Sequence, residues 1–248
     1  MTKGRSLLSD MRMAPSVYDQ PAFLLHRREW QNTSLILDCL TLNHGRVNLI
    51  AKGGRNSRNR ALFQPFIALT LSWAGRSNLP TLISIDGEIL DVDDNSYLSL
   101  LYINELLTVF LPKNDSAEFV YLRYRFLLES TRGLMVDPRD LRSFERDLMD
   151  DLGYLPDLEI DANTGSPIND SEYYQFDPSM GFFETENNAL GYLGSNIRSW
   201  NDGVLVSSAV DKLSARVMRS IIDLNLQGKI LHSRNVYRQI KKFDSPKN

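Results

Sequence analysis

A run of cations without acidic partners is the feature of this sequence that most directly suggests a chemistry. Between Cys39 and Ile85 the chain has no aspartate or glutamate, but it has six basic residues: Arg46, Lys52, Arg55, Arg58, Arg60 and Arg76. The planar guanidinium group pairs with phosphate oxygens, and the glycines at 53 and 54 let a phosphate approach the backbone. The segment therefore predicts contact with a polyanion, and a solvated loop is the alternative.

Aromatic side chains near these cations suggest how a single strand could be held. A small barrel with a basic groove binds the backbone of a strand while the bases stack on exposed rings. Trp30, Phe63 and Phe66 are the candidate rings, and burial in the core is the alternative for each. Because the sequence has no pattern that reads base edges, we expect binding that depends strongly on salt and little on base sequence.

Catalytic and metal-binding patterns are absent from the sequence. It has no GxxxxGK[ST] phosphate loop and no HExxH motif, and its three histidines are far apart. Residues 91–102 begin like a calcium loop, but Ser96 and Tyr102 replace the required glycine and glutamate. Carboxylates at 150, 151, 157, 159 and 161 are the candidates for a nuclease centre, and solvated surface groups are the simpler interpretation. We therefore predict no enzyme activity, no metal and no cofactor.

Charge is distributed unevenly along the 248 residues, whose net charge is -3. Residues 1–85 have 11 Lys and Arg against 4 Asp and Glu, a balance of +7, whereas residues 86–248 have 17 against 27, a balance of -10. The single cysteine, Cys39, excludes an internal disulfide framework and favours the cytosol. No apolar run is long enough to cross a membrane, and residues 1–20 lack a signal-peptide pattern, so we interpret them as a flexible extension.

Hydrophobic periodicity predicts two structural regions. Two short apolar segments at 22–29 and 34–42 and three alternating ones at 46–53, 66–73 and 81–90 indicate five strands, which suggest a small closed barrel or sandwich. Helical periodicity follows at 97–111, 117–132, from Pro138 onward, 209–226 and 233–242. Residues 153–186 look irregular, so we predict a β domain at 21–92 and a helical domain at 93–248.

Several segments resemble the RecO family of bacterial recombination mediators. These are residues 22–55, from AFLLHRREW to AKGGR, then ALFQPF at 61–66, LYINELL at 101–107, LRSFERDLMDDLGY at 141–154 and GKILHSRNVYRQI at 228–240. The resemblance implies an α+β multidomain protein with an N-terminal OB-fold barrel and an all-α C-terminal domain. It also implies a non-enzymatic, bacterial, cytoplasmic and nucleoid-associated protein that binds single- and double-stranded DNA and anneals complementary strands. With RecR, such a protein helps RecA load on DNA coated by single-strand-binding protein.

The resemblance also implies two sets of binding residues. DNA-backbone binding would involve the basic residues of the first region: Arg27, Arg28, Arg46, Lys52, Arg55, Arg58, Arg60 and Arg76. The acidic tail of single-strand-binding protein would dock on the helical domain, with Arg142 as the first candidate and Arg125, Lys212, Arg216 and Arg219 as further ones. Helical spacing places 212, 216 and 219 on one face, which could equally be an ordinary solvated face.

One family pattern is missing from this chain. Many RecO proteins hold a structural zinc with two CxxC pairs, whereas here the first pair corresponds to Asp161 and Thr164, and the second is absent near GFFETENN. We expect the loop to be held by packing of its aromatic residues, Tyr173, Tyr174, Phe176, Phe182 and Phe183.

An RNA-binding OB module with a helical interaction domain is the main alternative function.

Overall fold

The structure, a computed structural model, describes the backbone of residues 15–188, 190–203 and 207–244, and their side chains except at 238 and 240–244. The chain divides into two compact units. The first ends at Leu90 and also takes in Leu111–Glu118, which the sequence assigned to the helical domain. This short segment joins the first unit because the Asn114 amide donates to the Arg46 carbonyl at 2.8 Å.

Five strands form a closed barrel in the first unit. They are β1 (Ser16–Trp30), β2 (Ser34–Thr41), β3 (Gly45–Ala51), β4 (Ile67–Ala74) and β5 (Thr81–Ile89). Their order is β1-β2-β3-β5-β4, closed by antiparallel pairing of β1 with β4, while β3 and β5 are paired in parallel at Ile50 and Thr81. The barrel is filled by apolar residues of alternating strand positions, among them Leu24, Leu37 and Leu49.

The first strand is longer than predicted. Residues 16–20 were assigned to a flexible extension, but they belong to β1, with Ser16 opposite Ala74 and Gln20 opposite Leu71. A bulge interrupts the pairing where Asp19 has φ 50°, and its amide donates to the Ser72 hydroxyl. Because the bulge interrupts the regular alternation of side chains, the sequence pattern does not show that the strand begins at Ser16. The rest of the predicted extension, residues 1–14, lies outside the described residues.

The second unit is mainly helical. Its helices are α1 (Tyr97–Phe110), α2 (Glu118–Ser130), α3 (Pro138–Asp151), α4 (Gly194–Asn201), α5 (Ser208–Asn225) and α6 (His232–Asp244). Asp137 caps α3 by accepting from the Arg139 amide, and Ser207 caps α5 by accepting from the Val210 amide. The prediction of an N-terminal β region followed by a helical region is therefore confirmed. None of the described helices is long and apolar enough to span a membrane.

The prediction that the second region is all-α is wrong. Three short strands, β6 (Tyr173–Asp177), β7 (Gly181–Glu184) and β8 (Tyr192–Leu193), form an antiparallel sheet in the order β7-β6-β8. They fall in the segment that looked irregular, because two to five residues are too few for a clear alternation. Helix α4 was missed because it has no side-chain cap and begins at a glycine, Gly194.

Candidate nucleic-acid interface

Basic residues from β1 and from the segment after β3 surround an open cavity of about 480 Å³ in the first unit. We call this cavity the arginine groove. Its charged lining consists of Arg27, Arg28, Glu29, Arg55 and Arg60. The groove therefore brings together residues that are about 30 positions apart in the sequence, and four of the five charged residues described in its lining are positive.

The segment that supplies Arg55 and Arg60 is ordered by the barrel. It forms two short 3-10 turns, Gly54–Asn56 and Arg60–Leu62, and Gly53 enters the first with φ 66°. The Arg55 amide donates to the Thr33 carbonyl at 3.0 Å, which fixes this turn beside the loop between β1 and β2. A side chain at Gly54 would lie 3.2 Å from the Leu35 side chain, so the turn packs directly on β2.

Arg27 joins β1 to the second turn. Its Nη1 donates to the Phe63 carbonyl at 2.6 Å, and Phe63 is buried in the barrel core. This bond orients the guanidinium at the wall of the groove and leaves its other N–H groups for a ligand. Arg28 lies beside Trp30, with its guanidinium carbon 5.8 Å from the ring centroid.

Among the described residues that line the groove, Glu29 is the one with a carboxylate. Its carboxylate pairs with the Arg55 guanidinium at 2.8 Å, and Arg55 also donates to the Gln31 carbonyl at 3.3 Å. The Glu29 side chain is 74% exposed, and such a pair contributes only about 0–1 kcal/mol. A phosphate can therefore replace Glu29 as the partner of Arg55 at low cost.

The fully exposed cations that follow β3 have no ion-pair partner among the described residues. Lys52, Arg58 and Arg60 are exposed, and across the described residues no carboxylate forms an ion pair with them or with Arg27 and Arg28. Arg76 is exposed in the loop between β4 and β5 and does not line the groove, although that loop is bonded to β3 through the Ile50 amide and the Pro80 carbonyl. Of these exposed cations, all but Arg76 therefore lie in the segments that line the groove or directly beside them.

Arg46 occupies a different environment from the other candidates. Its guanidinium forms a two-pronged ion pair with Asp38, at 2.8 and 2.7 Å, and donates to the Leu111 carbonyl at 3.0 Å. Its side chain is only 11% exposed. Through these contacts Arg46 joins β2, β3 and the Leu111–Glu118 segment. We therefore leave Arg46 out of the proposed DNA surface.

Only one of the three candidate stacking rings is accessible. Phe63 and Phe66 are 2% and 3% exposed, so neither can stack on a base without unfolding part of the barrel. Trp30 is 39% exposed at the end of β1. The structure thus corrects the expectation for Phe63 and Phe66 and leaves Trp30 beside Arg28 as the candidate platform.

The second set of predicted residues lies in the helical unit. Lys212, Arg216 and Arg219 are exposed on one face of α5, whose opposite face is buried. Arg142 on α3 pairs with Glu145 at 2.8 Å, whereas Arg125 pairs with Glu129 within α2. The structure therefore supports a basic face on α5 but gives Arg125 and Arg142 partners of their own.

Glu145 is the buried centre of a network that the sequence did not reveal. It is fully buried, the Tyr102 hydroxyl donates to its Oε1 at 2.7 Å, and Arg234 stacks on the Tyr102 ring at 5.5 Å. Burial raises the pKa of Glu145, and Arg142, the Tyr102 hydroxyl, Arg234 and Arg219 act in the opposite direction. Arg142, Arg219 and Arg234, which lie on α3, α5 and α6, therefore converge near Glu145. The packing of these helices brings the three residues together, and their spacing in the sequence does not show it.

The carboxylates considered for a nuclease centre do not converge. Asp157 and Glu159 are exposed, and Asp157 accepts from the Glu159 amide, whereas Asp161 is buried at 3% exposure. Among the described residues there is no group of three or more histidine, cysteine, aspartate or glutamate side chains that could hold a metal ion. Cys39 is buried in the barrel, and burial, with Asp38 adding to it, raises its pKa far above the ordinary value, so it remains a protonated thiol.

Comparison with known proteins gives a consistent result for both units. The family described as Recombination protein O N terminal matches residues 13–88, and Recombination protein O C terminal matches residues 92–198. A DNA repair protein RecO of Marinobacter nauticus is 33% identical over 236 residues, covering 91% of this chain and 96% of that protein. The DNA repair protein RecO of Methylococcus capsulatus is 34% identical over 221 residues, covering 88% and 91%, respectively. That of Nitrosococcus oceani is 31% identical over 231 residues, covering 90% and 94%.

Proposed function

The chain belongs to the recombination protein O family of DNA repair proteins, and from this premise we propose that it is a non-enzymatic recombination mediator. In this proposal the barrel binds the backbone of single- and double-stranded DNA and anneals complementary strands. The helical unit receives the acidic tail of single-strand-binding protein. With RecR, the protein then helps RecA load on coated DNA, in the bacterial cytoplasm and in association with the nucleoid.

The barrel topology supports the nucleic-acid part of the proposal. Its five strands, closed in the order β1-β2-β3-β5-β4 with one parallel pair, are those expected of an OB-fold. OB-folds are small barrels that bind oligonucleotides with one face and the loops beside it. In this chain the loop between β1 and β2 lies next to Arg55, so the basic residues are where such a barrel would meet a strand.

The arginine groove is the observation that carries the proposal. Arg27, Arg28, Arg55 and Arg60 line it, and Glu29 is its one acidic residue. Because Arg27 and Arg55 are already oriented by bonds to the Phe63 and Gln31 carbonyls, they lose little side-chain entropy when a phosphate binds. No feature of the groove reads base edges, so the contacts position the backbone and bind many sequences.

A groove that binds phosphates also fits RNA, so RNA binding remains the alternative function that the test must distinguish. The test is strand annealing followed with labelled complementary oligonucleotides, bare or coated with single-strand-binding protein. We expect Arg28/Arg55/Arg60→Gln to slow annealing by about tenfold or more, because three phosphate contacts are lost. Lys113→Gln, which removes an exposed cation of the same unit outside the groove, should leave annealing unchanged.

The same assay distinguishes the alternatives. If an RNA competitor of the same sequence displaces the labelled DNA at lower concentration than a DNA competitor, the RNA-binding function is favoured. If the wild-type protein neither binds nor anneals DNA, the proposal is wrong. If it anneals DNA and the groove variant does so equally well, the function stands but the groove is not its site.

The partner site predicts a separate effect. The exposed cations of α5, Lys212, Arg216 and Arg219, would meet the carboxylates of an acidic tail. We expect Arg216/Arg219→Gln to weaken binding of an acidic C-terminal peptide of single-strand-binding protein at least fivefold, without changing affinity for bare DNA. The groove variant should lose affinity for bare DNA and keep its affinity for the peptide. If Arg216/Arg219→Gln binds the peptide as well as the wild type does, the partner site lies elsewhere.

A further inference from the structure

The turn at residues 161–165 is organised around one buried carboxylate. Asp161 is 3% exposed, and its Oδ1 accepts from the backbone amides of Asn163 and Thr164, each at 2.8 Å. Its Oδ2 accepts from the amide of Glu184 at the end of β7, also at 2.8 Å. The carboxylate thus connects a turn to a strand that begins about 20 residues later.

Backbone contacts surround this carboxylate on both sides. The Gly165 amide donates to the Asp161 carbonyl at 2.7 Å, and Gly165 has φ 71°, which closes a tight turn. The Ala162 amide donates to the Phe182 carbonyl at 2.7 Å, and Asp161 is paired with Phe182 in an isolated parallel bridge. The turn and the sheet therefore meet at Asp161.

A structural zinc, which the family resemblance suggests for this region, does not fit these residues. Both Asp161 oxygens already accept hydrogen bonds, and the neutral Thr164 hydroxyl accepts from the Ser166 amide at 3.2 Å. The Glu184 side chain is exposed, and the described part of the chain has no cluster of three metal-ligating side chains. Zinc sites of the structural kind need four ligands, usually thiolates or imidazoles.

We infer that the Asp161 carboxylate replaces the metal: its Oδ1 closes the 161–165 turn by accepting from two amides, and its Oδ2 cross-links that turn to β7 by accepting from the Glu184 amide. An ionised carboxylate suits this role because its two oxygens offer several acceptor sites, enough for all three amides. Burial raises the pKa of Asp161, but the amides of Glu184, Thr164 and Asn163 outweigh it and hold the pKa below its usual value. The helical unit is therefore independent of metal.

Aromatic packing completes the cross-link rather than replacing it. Phe182 is fully buried, and its ring centroid lies 4.9 Å from that of Phe176. Tyr174 is 2% exposed, and its hydroxyl accepts from the Asn169 amide. These rings hold the sheet together on the side away from solvent, whereas Asp161 attaches the turn to it.

The test is thermal unfolding of the full chain, with Asp161→Asn as the variant and Asp157→Asn as the matched control. Asp157 lies in the same segment and accepts from one amide, that of Glu159, but it is exposed. We expect Asp161→Asn to lower Tm by about 5–10 °C, because an amide cannot accept all three bonds, and Asp157→Asn to lower it by less than about 2 °C. Equal small shifts in the two variants would overturn the inference.

Metal dependence gives a second readout that does not require a stable variant. The wild-type protein should contain less than about 0.1 zinc per chain after purification without chelator, and its Tm should be the same with EDTA and with added zinc. Stoichiometric zinc, or a Tm that falls by several degrees in EDTA, would overturn the inference. Hydrogen exchange of the Glu184 and Thr164 amides should be slow in both solutions.

Discussion

At the scale of single residues, the arginines of the first unit differ in how much of their hydrogen-bonding capacity the fold already uses. Arg46 is bound on two sides by Asp38 and by the Leu111 carbonyl, whereas Arg27 makes one backbone contact. Arg55 has an exposed and replaceable partner in Glu29. Residue type alone therefore did not separate structural from ligand-binding arginines, but their partners do.

Glu29 gives the first prediction at this scale. Glu29→Gln removes the one carboxylate of the groove and frees Arg55, so affinity for a single-stranded oligonucleotide should rise by about two- to fivefold at low salt. Fluorescence anisotropy of a labelled oligonucleotide measures the change. The control is Glu118→Gln, which removes an exposed charge of the same unit outside the groove. Weaker oligonucleotide binding by Glu29→Gln than by the wild type would contradict the assignment of the groove.

Arg46 gives the second prediction. Arg46→Gln breaks its ion pair and leaves Asp38, only 15% exposed, without its cation, so the free energy of unfolding should fall by roughly 2–4 kcal/mol. Urea unfolding measures this loss. DNA affinity, measured where the variant is folded, should match that of the wild type, and a large loss of affinity would return Arg46 to the DNA surface.

At the scale of secondary-structure elements, the sequence predicted what depends on local pattern. The five barrel strands and the starts of α3 and α5 were predicted because alternation and capping residues specify them within a few positions. The sheet β6–β8 was missed because its strands, two to five residues long, are too short for a clear alternation. Arg46 was misassigned because its partner, Asp38, lies across the hairpin between β2 and β3.

The β6–β8 region predicts a response to acid. Asp161 and Asp177 both have a lowered pKa: for Asp177 the Ser179 hydroxyl and amide are the main cause, and for Asp161 amide bonds outweigh burial. A group whose folded pKa is lowered stabilises the protein above the unfolded value of about 3.9 and loses that contribution as pH falls through the folded pKa. The stability of the wild type should therefore fall more steeply below about pH 4 than that of Asp161→Asn.

Urea unfolding at several pH values between 6 and 3 measures this difference. The gap in unfolding free energy between wild type and Asp161→Asn should be largest near pH 6 and should narrow as pH falls toward the folded pKa. A gap that stays constant down to pH 3 would mean that Asp161 is not the ionised acceptor described above.

At the scale of the whole molecule, the two ends of the chain have opposite charge. Residues 1–85 have a balance of +7 and residues 86–248 a balance of -10. A cationic barrel attracts DNA, whereas an acidic helical region repels it. This division of charge, which the sequence showed directly, is consistent with DNA binding by one unit and protein binding by the other.

The most direct test of the central claim is the salt dependence of affinity for a single-stranded oligonucleotide, compared between wild type and Arg28/Arg55/Arg60→Gln. For single strands, each phosphate contact contributes about 0.7 to the slope of log affinity against log salt concentration. The account predicts weaker binding by the variant and a slope that is smaller by about 2. An unchanged affinity and slope would contradict it, because the arginine groove would then not contact the DNA backbone.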